Sequence, residues 1–236
     1  MERVLSRKRL LQLGAAAGVA TLATLLTPTL SRPTDAQIPS YAFEFDWVML
    51  NHGRYGQGVN MQGLRERIIQ NLPGLVDPDH IITPDYPNPA NPNLEAWMSK
   101  RMEEIDKAAG FGNRGWMWDY SASAPVGLSA LGRFGEQLPA TLREHLRLRI
   151  IGGGIRGQTN LYDLVNTPNF EEQVKPHLGG GIDHLHGSAD QVITAEAAAD
   201  LARKFGYQTN LRLLDGVGHN TVLSSDELMT KSLLAA

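Results

Sequence analysis

Three stretches of the chain carry residue types suited to acyl transfer. Trp116 to Asp119 reads as a strand that gives way to Tyr120-Ser121-Ala122-Ser123-Ala124-Pro125-Val126, a serine between small residues at the mouth of a helical pattern. A sharp strand-to-helix turn exposes such a hydroxyl, and the start of the helix offers backbone N–H groups to a developing oxyanion. Pro125 suits a first helical turn, where its missing N–H leaves no bond unmade. Ile182 to His186 runs into Gly187-Ser188-Ala189-Asp190, and Leu211 to Leu214 runs into Asp215-Gly216-Val217-Gly218-His219-Asn220. The order is therefore nucleophile, carboxylate, imidazole.

Each of these residues also has an ordinary reading. A serine near a helix start is commonly a cap, Asp190 would also suit the N-terminus of a helix near Thr194, and His219 alone is a loop histidine. Ser129, in Gly127-Leu128-Ser129-Ala130-Leu131-Gly132, is a rival serine inside the helical pattern. Gly152-Gly153-Gly154-Ile155-Arg156-Gly157 fits G-x-G-x-x-G after a strand, but a dinucleotide site opens its fold and leads straight into a helix, whereas Gln158 to Asn169 reads as loop. Asp183, His184 and His186 suggest metal ligands, yet neighbouring strand side chains point to opposite faces. No metal or organic cofactor is expected.

The elements that must position these residues alternate along the chain. Phe45 to Leu50, His80 to Thr83, Gly115 to Asp119, Leu146 to Ile151, Ile182 to His186 and Leu211 to Leu214 read as strands. Met61 to Leu72, the face formed by Leu94, Trp97, Met98, Met102 and Ile105, and most of Val126 to Leu142 read as helices. Another helix is capped by Thr194 and stops at Gly206 after Arg203 and Lys204. Such alternation predicts a mainly parallel sheet of about six strands with helices on both faces, and chemistry on the loops at the strands' carboxyl ends.

These segments, taken in order, resemble the α/β-hydrolase superfamily over nearly all of residues 40–236. Asn51-His52-Gly53 is similar to the family's His-Gly oxyanion loop, Ile82-Thr83-Pro84-Asp85 to the end of its next strand, and Leu185 to Val192 to its acid-bearing loop. The resemblance implies a minimal α/β-hydrolase with Ser121 as nucleophile, His219 as general base and Asp190 orienting it. It implies oxyanion donors in the backbone N–H of Ala122 and of Arg54 or Tyr55. The elbow departs from the family's Gly-x-Ser-x-Gly, with Asp119 and Ser123 at the glycine positions. A carboxylate there needs a partner or solvent, and it would bear on the field at His219.

The chain of 236 residues has a formal charge of −3 and no cysteine, so it offers neither a basic track for nucleic acid nor a disulfide or thiolate. Arg3, Arg7, Lys8 and Arg9 precede the uncharged stretch Leu13 to Leu30, with Pro33 and Ala36 following, the layout of an export signal over residues 1–36. Ser6-Arg7-Lys8-Arg9-Leu10-Leu11 resembles a twin-arginine pattern with Lys8 in the second arginine's place. Residues 37–236 then form one domain, periplasmic or extracellular, touching membrane only through an uncleaved signal. The expected activity is hydrolysis of a small-molecule or lipid-like ester through an acyl-serine. The alternatives are a non-catalytic binding protein of the same fold, or an amidase or perhydrolase using the same site. Gly152 to Gly180 is the expected source of a substrate-covering loop, and Trp47, Tyr55, Tyr86 and Tyr162 are candidates for lining an acyl pocket.

Overall fold

In the computed structural model, residues 43–88, 91–155 and 160–230 are described. Six strands follow one another as β1 (Trp47–Asn51), β2 (Ile81–Ile82), β3 (Gly115–Tyr120), β4 (Arg147–Ile151), β5 (Ile182–Gly187) and β6 (Leu211–Leu214). Every residue of β1 and β5 is buried, as befits strands covered on both faces, and this explains the near-continuous apolar run of β1, while β5 buries Asp183, His184 and His186 among its residues. All neighbouring pairs are parallel, in the order β2-β1-β3-β4-β5-β6. The order reverses at β1, which lies between β2 and β3, so the loops leaving β1 and β3 diverge and open a crevice at their carboxyl ends. This is an α/β-hydrolase-like sheet, reduced to six strands among the described residues.

Both faces are covered. On one, Met49, Met117, Leu148 and Ile150 pack with helices α2 (Leu94–Ala109), α3 (Ser123–Phe134) and α7 (Ala195–Phe205). On the other, Val48, Leu50, Trp116 and Trp118 pack with helix α1 (Gln62–Asn71) and with Val222 and Leu228 of the 3-10 turns after β6. Helix α7 is bounded as its sequence requires: Thr194 Oγ1 accepts from Ala197 N–H at 3.2 Å, and Gly206 closes the helix at φ 73°.

Three expectations need correction. The helical stretch from 126 to 142 is two helices, because α3 ends at Phe134 and α4 spans Ala140–His145, with Pro139 before it denying an N–H to a continuous ladder. The region read as loop up to Asn169 contains a 3-10 turn at Asn160–Tyr162 and the short helix α5 (Asp163–Asn166), followed by α6 (Glu171–Val174). Trp47 is in the core and Tyr86 is buried against Trp97, so neither lines an open pocket. The export signal and the boundary at residue 36 lie outside the described residues. No helix among the described residues is long and apolar enough to cross a membrane.

Candidate active site

Ser121 follows β3 directly and has φ 54°, a left-handed backbone that a serine adopts only under constraint. The constraint is visible: Ser121 N–H donates to Ile151 O of the adjacent β4 at 2.9 Å, while α3 starts two residues on. The loop after β1 comes so close that a β-carbon at Gly53 would lie 2.8 Å from Ser121 Cβ. Only glycine permits that approach.

The acid and base loops are tied to each other before they reach the serine. Ser188 N–H donates to Leu214 O at 2.9 Å, Ala189 N–H to Val217 O at 3.0 Å, and Gly216 N–H to Ser188 Oγ at 2.9 Å. The two oxygens of Asp190 then take separate partners. Oδ1 accepts from Val192 N–H at 2.8 Å and Ile193 N–H at 2.9 Å, while Oδ2 lies 2.6 Å from His219 Nδ1. The carboxylate thus holds its own loop and meets the imidazole, while the cap of the following helix, the other reading of Asp190, is supplied by Thr194. An ionised Asp190 only accepts, which assigns the proton to Nδ1 and leaves Nε2 free to accept from Ser121 Oγ–H, 2.9 Å away.

His219 is packed as well as bonded. The Tyr120 ring lies against it at 5.2 Å, and Tyr120 Oη donates to Asn220 Oδ1 at 2.7 Å. Burial, together with the charge of Asp190, pushes the Tyr120 phenol up to about 12, so it remains a donor at physiological pH. Behind Asp190, His186 Nε2–H donates to Ile193 O at 2.9 Å, and burial holds this imidazole below its ordinary range and neutral. No sequence signal pointed to Tyr120 or Asn220 beyond their adjacency to Ser121 and His219.

A cleft of about 640 Å³ opens over these residues. Ser121 and His219 line it with Arg54, Tyr55, Ala122, Leu161 and Tyr162, so the residues proposed as oxyanion donors share one cavity with the serine. Tyr55 lines the cleft with a left-handed backbone at φ 65°. Ala122 caps α3 without a side-chain bond, leaving the start of that helix as a backbone donor edge.

The remaining candidates sit elsewhere. Ser129 is fully buried within α3 and has no hydroxyl partner among the described residues. Asp183 pairs with Arg149 at 2.7 Å on the face opposite His184 and His186, and no group of three or more His, Asp or Glu among the described residues is placed to hold a metal. After β4 the chain passes through Gly152 to Ile155 without entering a helix. Asp119 also points away from the cleft: it is fully buried and ion-paired with Arg101 at 2.6 Å, not in contact with His219. Arg101 was missed in the sequence, although it falls four residues after Trp97 on the apolar stripe of α2, the position from which a buried partner must come.

No family model matches the chain, and no curated protein matches it. Solved structures do. The ydeN gene product of B. subtilis superposes with a TM-score of 0.60 at 17% identity, covering 78% of this chain and 94% of its own. Bromoperoxidase from Bacillus anthracis gives 0.53 at 10% identity, over 77% and 88% of the two chains. TT1662 from Thermus thermophilus gives 0.50 at 16% identity, over 81% and 91%. At such identities the likeness is one of fold.

Proposed function

We propose that this chain is a serine hydrolase that cleaves carboxylic esters through an acyl-serine intermediate. The observation that carries the reading is the continuous link Asp190–His219–Ser121, at 2.6 and 2.9 Å, ending on a serine held at φ 54° in an open cleft. In this reading Ser121 Oγ attacks the ester carbonyl as His219 Nε2 takes its proton, and the carbonyl oxygen becomes an oxyanion held by Ala122 N–H and by Arg54 or Tyr55 N–H. The C–O bond to the alcohol breaks as His219 returns the proton to it. Water, deprotonated by the same nitrogen, then releases the acid and restores Ser121. Asp190 keeps the imidazole in the productive tautomer throughout.

A carboxylate in place of the elbow's glycine would favour a non-catalytic binding protein if it disturbed His219, but Asp119 is fully buried and ion-paired with Arg101. Labelling by a fluorophosphonate probe tests the central reading. Wild type should label and Ser121→Ala should not. Equal labelling of both, or of neither, overturns it. A panel of esters, anilides and peracid-forming conditions then sorts ester cleavage from amide cleavage and perhydrolysis. We also propose export through residues 1–36; expression of the full chain should yield mature protein starting near Gln37 outside the cytoplasm, and full-length protein in the membrane fraction would contradict it.

A further inference from the structure

Asp119 takes no part in the chemistry just described, yet it is fully buried and lies two residues before Ser121. Its Oδ1 accepts from Arg101 Nη1 at 2.6 Å and from Asn51 Nδ2 at 2.8 Å. Asn51 is paired with Asp119 in the β1–β3 register and is the last residue before His52-Gly53-Arg54-Tyr55. The other end of its amide is held too, since Asn51 Oδ1 accepts from Tyr86 Oη–H at 2.7 Å. Its backbone oxygen accepts from Ser123 Oγ at 3.1 Å, inside the first turn of α3.

The same cluster anchors His52. Its Nδ1–H donates to Gly53 O at 2.8 Å, and its ring stands edge-on to Tyr86 and Trp97 at 5.2 and 6.0 Å. Arg101 lies over the Tyr86 ring at 5.4 Å and reaches Ser123 O at 3.5 Å. Room for the carboxylate is specific: a β-carbon at Gly127 of α3 would overlap Asp119 Oδ2.

As a device for stability this cluster is a poor one. Asp119 Oδ2 and Arg101 Nε have no partner among the described residues, and an incompletely satisfied buried pair contributes no more than apolar residues of similar volume. What the cluster does achieve is orientation, because it fixes the exit of β1 against the elbow after β3. We propose that Arg101, Asp119 and Tyr86 lock the side chain of Asn51, and that Asn51 is thereby the positioning residue that holds the oxyanion loop over Ser121. The proposal rests on the serine-hydrolase reading. It assigns the carboxylate in the family's glycine position to a task that glycine cannot perform.

Two variants of the full chain test it beside wild type. Asn51→Ala removes the link and keeps the ion pair; Arg101→Met with Asp119→Gly removes the pair and leaves the Asn51 side chain held by Tyr86 without its carboxylate partner. For each, kcat and KM on p-nitrophenyl acetate, the rate of fluorophosphonate labelling and the urea midpoint are measured, with rates expressed per folded molecule. The expected result is a ten- to hundredfold fall in kcat, about what an ångström of misplacement causes, with KM within about threefold. Labelling should slow in proportion, and the double variant should keep a urea midpoint close to wild type. Folded variants with wild-type kcat overturn the proposal, as does a rate loss that vanishes once expressed per folded molecule. If the double variant does not fold, Asn51→Ala decides alone. A wild-type protein that neither labels nor turns over overturns the hydrolase reading and this one with it, a result distinct from active variants.

Discussion

At the scale of single residues, the proposed chemistry depends on a unit and not on three separate contributions. His219 has nothing to deprotonate without Ser121, and Ser121 is a poor nucleophile without its base. Ser121→Ala and His219→Ala should each lower kcat/KM by about four orders of magnitude, and the double variant should be little worse than either. Steady-state kinetics with matched circular dichroism would show this, and losses that multiply would contradict the unit. The left-handed backbone at Ser121 carries a second expectation. Ser121→Gly should be more stable than Ser121→Ala by about 1 kcal/mol, because glycine occupies φ 54° without the clash of a β-carbon. Equal urea midpoints for the two would remove strain from the account. The grouping of these side chains was legible, since Ser121, Asp190 and His219 each follow a strand pattern within a few residues. What was not legible was where Asp119 points: its partner, Arg101, lies 18 residues earlier on another element, and only the packing of α2 on β3 joins them.

At the scale of elements, legibility followed burial and capping. The buried strand β1 announced itself as an apolar run, and α7 was readable at both ends because Thr194 and Gly206 carry the chemistry of a cap and a stop. Thr194→Ala should therefore cost about 1 kcal/mol in urea unfolding while kcat stays within twofold, since the helix start is bonded through Thr194 and the acid loop is held independently by Asp190 Oδ1. A large kcat loss at unchanged stability would mean the cap reaches into the site. The stretch from Asn160 to His177 was unreadable for a physical reason. Its helices and 3-10 turns have three or four residues each, too short to display a hydrophobic period, and they exist because Leu161, Val165, Phe170 and Val174 find tertiary partners. Leu161 and Tyr162 line the cleft from this stretch, which forms short helices and 3-10 turns where a loop was expected.

For the molecule as a whole, four buried histidines set a pH response separate from the chemistry. Burial holds His52, His177, His184 and His186 below the ordinary imidazole range, His184 furthest. The unfolded chain takes up protons near pH ~6.5 that the folded chain refuses. Stability is then whole above that value and falls as pH drops below it, each group adding at most about 1.4 kcal/mol per pH unit. Urea midpoints should fall between pH 7.5 and 5.5, and His184→Phe should flatten the slope; a midpoint indifferent to pH over this window would contradict the burial argument. The long reach of the site's bonds has a last consequence. The contact from His219 to Ser121 spans 98 positions and the one to Asp190 spans 29, with β6 placed between base and acid in the chain. On the function proposed here, a polypeptide still emerging from the ribosome holds its serine and its carboxylate long before its imidazole, and stays inert toward the esters around it until the last strand of the sheet has been made.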